Sequence, residues 1–321
     1  MTAHFISASS IIDTWAADLL TGKPPILWRV GKGFDPVELG PGMVCLVGGA
    51  PGAGKTALTM QWVVDALRTD ASLRVMVANI EMTPRTLLDR QLARLAGLDA
   101  SWIRFRRLTG QEDRVHAGLD VLRSISDRLA FHDGPPTLVQ VAENVDAFGA
   151  QLLVLDYVQR FSLGDKAQDK RAELDDIMGH IRRFANGGLG VLVVSAMARQ
   201  KGATGSNYAG LGLASFRGSG ELEFGGDQCW TLAKVKEGDK YSPVRLSCHK
   251  NREGEEGISL LLNFDRMRQT FTLADSIATV AAAGAPRTYV PTHVPAQSPS
   301  PTGDTFDLGG EGYAEDDTPF E

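Results

Sequence analysis

Gly48-Gly49-Ala50-Pro51-Gly52-Ala53-Gly54-Lys55-Thr56 holds the spacing G-x-x-x-x-G-K-[ST], from Gly49 through Gly54 and Lys55 to Thr56. Glycines at that spacing let backbone N–H groups crowd onto phosphate oxygens. A lysine at its end reaches the outer phosphates, and the hydroxyl after it can hold Mg²⁺. A glycine-rich turn could carry the same letters, so the flanks matter. Met43 to Val47 is an apolar run of the kind that forms a buried strand, and Ala57 to Leu67 reads as a helix. Strand, loop and helix together set phosphates at a helix N-terminus, where free N–H groups and the helix dipole favour anions. The residues expected to line a nucleotide are therefore Gly49, Ala50, Pro51, Gly52, Ala53, Gly54, Lys55, Thr56 and Ala57.

Outward from this stretch, apolar runs alternate with helical patterns. Arg74 to Ile80 reads as a strand ending at Glu81. Pro84 opens a helix over Arg85 to Ala96, and Gly97 closes it. A basic, aromatic stretch from Ser101 to Arg107 reads as a solvated helix start or a phosphate-binding patch. A helix over Arg114 to Arg128, a short strand over Leu129 to Asp133 and a further helix after Pro135-Pro136-Thr137 follow. Then come a strand over Gln151 to Asp156, a helix over Glu173 to Asn186 and a strand over Gly190 to Ala196. Strands separated by helices require crossovers, hence a largely parallel sheet covered on both faces. Ala203 to Leu213, glycine-rich, reads as a mobile loop. Cys229 to Val235, Val244 to Cys248 and Ser259 to Asn263 read as hairpin-connected strands at one sheet edge.

The termini differ from this body. Ile11, Ile12, Trp15, Ala16, Leu19 and Leu20 share one helical face, which fits either a helix packed on its own domain or one docked on a neighbouring subunit. From Ala281 to Gly303 the chain is rich in Pro, Ala, Ser and Thr and reads as a disordered linker. The expected organisation is thus 1–22 as an N-terminal helix, 23–275 as the α/β body, and 276–321 as linker and tail.

Composition bounds the reading. The 321 residues are 43% hydrophobic, enough for one large α/β domain with extensions. No apolar run reaches membrane-spanning length, and the N-terminus lacks the basic-then-apolar order of a signal peptide. Cys45, Cys229 and Cys248 show neither metal-ligand spacing nor a disulfide framework, so a reducing, cytoplasmic setting is expected. The net charge of −6 is a property of the tail. Residues 302–321 hold seven acids and no base, leaving 33 bases against 32 acids in the other 301 residues. A near-neutral body neither marks a nucleic-acid binder nor excludes one, because a local basic channel suffices.

Two carboxylates complete the chemistry. Asp156 ends the run Leu152-Leu153-Val154-Leu155, which sets it at the carboxyl end of the sheet, where it can organise Mg²⁺ with Thr56. Glu81 ends the preceding strand pattern. It can activate water, or it can cap the turn at Thr83-Pro84.

Taken in order, GAPGAGKT, IEMTPRTLLDRQLA and LLVLDYVQ resemble the RecA-type motor domain of DnaB-like replicative helicases. The resemblance continues in FRGSGELEFGGD, where Arg217, Ser219, Gly220, Glu223 and Asp227 match, and in CHKNREG, and it covers about Gly31 to Phe271. It implies a RecA-like P-loop NTPase fold with antiparallel edge hairpins. It also implies ATP and Mg²⁺ as ligands and Glu81 as the catalytic base beside Lys55. By the same resemblance, Lys250 and Arg252 reach the nucleotide of an adjacent subunit. The implied assembly is a ring, a hexamer, around single-stranded DNA in replication, with Lys201 and Arg217 as candidate DNA contacts.

Two departures stand out. The family's N-terminal helical domain has no counterpart beyond Ser9 to Leu20. The family segment S-Q-L-S-R reads Ser195-Ala196-Met197-Ala198-Arg199, which makes the γ-phosphate sensor position Ala196; Gln200 or Gln159 could substitute. These departures keep open a non-unwinding, RecA- or KaiC-like regulatory ATPase, and also an accessory helicase recruiting host factors through its tail. That tail, ending Glu315-Asp316-Asp317-Thr318-Pro319-Phe320-Glu321, resembles the acidic tip of bacterial single-strand-binding proteins, although Glu321 displaces the terminal carboxylate from Phe320. It reads as a docking tip for a replication protein or as a solvating acidic segment.

Overall fold

The computed structural model describes residues 6–22, 24–164, 169–197, 200–202, 205–207, 225–235 and 243–274, with backbone alone at Lys170, 200–202 and 205–207. The expected linker and acidic tail lie outside the described residues, as does most of the glycine-rich loop.

The structure opens with α1 (Ala8–Leu20), none of whose residues is buried. Trp15 is 57% exposed and Leu20 86%, so among the described residues nothing covers the apolar face of this helix. The alternation then begins with β1 (Val44–Gly49), α2 (Lys55–Thr69), β2 (Val75–Asn79) and α3 (Pro84–Ala96). Thr83 caps α3 by accepting from the Thr86 N–H, Pro84 sits in its first turn, and Gly97 ends it at φ 64°. The cap is therefore Thr83, which leaves Glu81 without that duty.

A short helix, α4 (Ala100–Arg104), and a longer one, α5 (Glu112–Ile125), follow, the latter starting two residues before the sequence pattern places it. Then come β3 (Leu129–Phe131), α6 (Leu138–Phe148), β4 (Leu152–Asp156), a 3₁₀ turn at Val158–Arg160, α7 (Lys170–Asn186) and β5 (Gly190–Ala196). Beyond the small hairpin of β6 (Gln200–Gly202) and β7 (Gly205–Asn207) lie β8 (Gln228–Lys234), β9 (Pro243–Asn251), β10 (Ser259–Asp265) and β11 (Thr270–Leu273).

Nine of these strands form one sheet in the order β11-β10-β9-β8-β1-β5-β4-β2-β3. The six strands from β8 to β3 run parallel, and β9, β10 and β11 extend the sheet antiparallel. The strand read from Cys229 thus has β9 on one side and β1, in parallel, on the other; the antiparallel edge starts only at β9. The strand β11 carries no reading in the sequence, being four residues long.

The unbroken apolar runs have a direct cause. Cys45 and Val47 of β1 pack into one core with Leu58 and Trp62 of α2, while Val44 and Leu46 pack into another with Ile177, Met178 and Ile181 of α7. A strand with helices on both sides buries successive side chains alternately up and down, so both parities must be apolar. Cys45, Cys229 and Cys248 are all buried free thiols. Among the described residues no helix is long and apolar enough to cross a membrane.

Candidate functional site

The parallel strands end level with one another. Gly49 of β1 lies beside Ala196 of β5, and Asn79 of β2 beside Asp156 of β4. Ligands of open α/β sheets bind outside such carboxyl ends, and here they open onto a cleft of about 840 Å³. Its walls include Gly52, Gly54, Lys55 and Thr56 of the loop, Glu81 and Met82 after β2, Asp156 and Tyr157 after β4, and Ala196.

The loop is built for an anion. Gly54 caps α2 at φ 98° with no side-chain cap, so the first N–H groups of the helix keep their hydrogen-bonding capacity. A Cβ on Gly54 would come 2.7 Å from Phe264 and 2.8 Å from Phe271. Those two rings stack at 4.1 Å and make the floor of the loop. Arg266, whose guanidinium lies 5.4 Å over Phe264, donates to the Gly52 carbonyl at 2.9 Å. Gly49 is equally constrained, since a Cβ there would meet the Leu232 carbonyl oxygen at 2.6 Å.

Lys55 folds back over the loop and donates from Nζ to the carbonyls of Gly49 (2.8 Å) and Ala50 (3.3 Å). Burial pushes its ammonium below the ordinary lysine range, and the nearby Asp156 and Glu81 carboxylates oppose that shift. Thr56 Oγ1 donates to Asp156 Oδ2 at 2.6 Å. Asp156 is only 4% exposed. Burial raises its carboxyl above the usual range, against the Thr56 hydrogen bond and the charges of Lys55 and Arg90. A hydroxyl and a carboxylate side by side are hard oxygen donors. Such a pair suits a small divalent cation that takes its other ligands from phosphates and water.

Further residues line the cleft or brace its edge. Asn79 donates from Nδ2 to Asp156 Oδ2 at 2.8 Å and accepts the N–H groups of Glu81 (3.0 Å) and Met82 (2.8 Å) at Oδ1. Arg90 of α3 and Arg160 of the 3₁₀ turn line the cleft, and neither forms an ion pair among the described residues. Gln159 spends its amide on the end of β5. Oε1 accepts the Ala196 N–H (3.1 Å), while Nε2 donates to Ser195 Oγ (2.8 Å) and the Ala196 carbonyl (3.1 Å). It therefore braces the strand at the sensor position.

Lys250 and Arg252 lie elsewhere. Asn251 pairs with Gln228, and the Arg252 N–H bonds the Asp227 carbonyl at 3.0 Å. Asp227 in turn bonds Val44, the first residue of β1, through both its N–H and its Oδ2 (2.8 Å each). The Arg252 guanidinium sits 3.2 Å from Asp227 Oδ1, and Arg182 of α7 holds the same carboxylate at 2.6 and 3.1 Å. This is the amino end of β1; Lys55 follows its carboxyl end. A six-residue strand spans about 20 Å, so Arg252 is remote from its own phosphate loop. Lys201's side chain and Arg217 lie outside the described residues, as do Ser219, Gly220 and Glu223.

Comparison with known families matches residues 32–272 to the DnaB-like helicase C terminal domain. The chain belongs to that family. The matched span agrees within one residue at either end with the extent of the motif resemblance. Among solved structures, the chain resembles one described as the ATPase domain of G40P, with a TM-score of 0.71 at 17% identity, covering 85% of this chain and 100% of that one. It also resembles a DnaB-like replicative helicase described together with its interactions with primase, with a TM-score of 0.67 at 17% identity, covering 84% of this chain and 67% of the other. No curated protein matches. The DnaB-like fold seen here is thus RecA-like, a mostly parallel sheet with helices on both faces, and the family is one of helicases.

Proposed function

We propose that this DnaB-like chain is an ATP-hydrolysing motor that acts on single-stranded DNA in replication, as a ring-shaped homo-oligomer, a hexamer, in the cytoplasm. The observation that carries the reading is the convergence of Lys55, Thr56, Asp156 and Glu81 on one cleft at the carboxyl ends of β1, β4 and β2. The loop from Gly49 to Ala57 cradles the phosphates of ATP and Lys55 draws the outer ones inward. Thr56 and Asp156 hold Mg²⁺, which neutralises charge on the phosphate oxygens. Glu81, exposed at the rim and relieved of capping, takes the proton of the attacking water. Lys250 and Arg252 complete the site of a neighbouring subunit. Their distance from their own Lys55 supports that role in trans.

The remaining assignments follow the same reading. Residues 1–22 act as a linker-type helix whose exposed apolar face docks on an adjacent subunit, and 23–275 form the motor. Residues 276–321 are a linker and an acidic tail offered to a replication protein. Lys201 and Arg217 contact DNA. A second reading, a non-unwinding regulatory ATPase, is favoured by one observation: Ala196 presents no polar group at the cleft. ATPase activity with and without single-stranded DNA, run beside a strand-displacement assay, tests both. Stimulation with displacement is expected. Stimulation without displacement selects the regulator, and no ATPase at all ends both readings.

A further inference from the structure

The Asn79 side chain joins two groups that no motif connects. It closes β2 and lies beside Asp156 in the β2–β4 register. Its amide orientation is set by chemistry. Two backbone N–H groups, of Glu81 and Met82, point at one end and require the oxygen there; the Asp156 carboxylate faces the other end and requires the NH₂. Asp156 Oδ2 therefore receives two donors, Asn79 Nδ2 and Thr56 Oγ1, at 2.8 and 2.6 Å. Among the described residues no hydrogen bond reaches Oδ1. With Oδ2 fully engaged, the carboxylate cannot rotate freely, and Oδ1 is the oxygen left for a ligand. Through its other end the same amide pins the backbone where Glu81 leaves the strand. The charges around this point are Lys55 and Arg90 on the positive side and Glu81 on the negative.

We propose that Asn79 is a positioning residue of the ATPase: one side chain sets the distance between the cation-side carboxylate, Asp156, and the water-activating carboxylate, Glu81. The proposal rests on the nucleotide-site reading given above. A side chain with only a packing role would not need opposite hydrogen-bonding polarity at its two ends, both satisfied at 2.8–3.0 Å. Asparagine is also the smallest residue able to span them. Serine has one oxygen in place of two separated groups, and aspartate would set a second carboxylate against Asp156.

The test uses the full chain with Asn79→Ala and Asn79→Leu; the second keeps the four-atom side chain branched at Cγ if the first leaves a damaging void. A fluorescent ATP analogue is bound first in EDTA and then across a Mg²⁺ titration, and steady-state hydrolysis is measured alongside. Binding in EDTA should stay within about twofold of the parent, because the Lys55 loop is untouched. The Mg²⁺ needed for half-maximal effect on binding should rise, and kcat should fall, each by roughly ten- to a hundredfold, as when the partner of a metal ligand is removed. KM at saturating Mg²⁺ should change little. A parent-like Mg²⁺ titration and kcat in both variants overturns the proposal. So does loss of EDTA-state binding in both, which would make Asn79 a prop of the fold. If instead Lys55→Ala leaves EDTA-state binding intact, it is the nucleotide-site reading that fails.

Discussion

At the residue scale the cleft has few polar groups left to chance. Lys55 donates to loop carbonyls and Thr56 to Asp156, so the protein itself orients the donors of the site. Lys55→Ala is expected to abolish nucleotide binding, read by a fluorescent analogue, because the loop has no other cation within it. Glu81→Gln is expected to keep binding and to block turnover, since an amide cannot take a proton from water. Near-parent hydrolysis by Glu81→Gln would show that another group is the base. The position of these residues at the strand ends was legible, because the loop, Asp156 and Glu81 each follow a recognisable strand pattern; spacing alone left Glu81 as base or cap, and its proposed role as base comes from the family resemblance. Asn79, Arg90, Arg160 and Arg266 were not legible as site residues. Asn79 meets a partner 77 positions away and Arg266 one 214 positions away, and a linear pattern does not record such pairs.

At the element scale, the phosphate loop depends on a part of the chain that the sequence did not flag. The parallel body was readable, because strands buried on both faces are apolar at every position and the intervening helices carry Thr and Pro starts and Gly stops. The four residues of β11 are too few for a period to show, yet Phe271 of β11 stacks on Phe264 beneath Gly54. Phe271 is 2% exposed, so Phe271→Ala should cost about 3–5 kcal/mol in a denaturant melt. It should also weaken nucleotide binding beyond the effect of Ile181→Ala, an equally buried truncation on the opposite face of the sheet. Equal binding by the two variants would mean that the aromatic floor does not shape the loop. Gly54→Ala fails on two counts, its φ of 98° and the two rings, and should lose binding even where the fold survives.

At the scale of the whole molecule, the proposed function gives each protomer half of a site at each end of its sheet. By the proposed role of Arg252, Arg252→Ala binds ATP almost normally but hydrolyses it more slowly by about 10³-fold or more. The Arg252→Ala and Lys55→Ala chains are each inactive for different reasons, and mixing them should restore part of the ATPase in a concentration-dependent way. No rescue, with co-assembly verified by sizing, would place Arg252 in cis or out of the reaction. Deleting residues 302–321 should leave the melting temperature and the basal ATPase unchanged, and should strengthen DNA binding at low salt, where seven negative charges no longer compete with phosphates. Equal DNA affinity with and without the tail at every salt concentration would remove that competition.

The antiparallel extension has a mechanical consequence. β10 starts at the turn that carries Arg252 and ends at the turn from which Arg266 grips the Gly52 carbonyl. It is a rod of seven residues, about 23 Å long, hydrogen-bonded along both edges by β9 and β11. Such a rod resists stretching, so a shift of the loop when its phosphate leaves is delivered to the far turn as a displacement of similar size. By the proposed role of Arg252, that far turn meets the next nucleotide of a closed assembly. Successive sites are then geared, each release setting the timing of its neighbour's turnover. Arg266→Ala removes the hydrogen-bonded one of the rod's two grips on the loop, the other being Phe264 beneath Gly54. It should lower the Hill coefficient for ATP towards one at unchanged oligomer size, and an unaltered coefficient would mean that the gearing runs through another element.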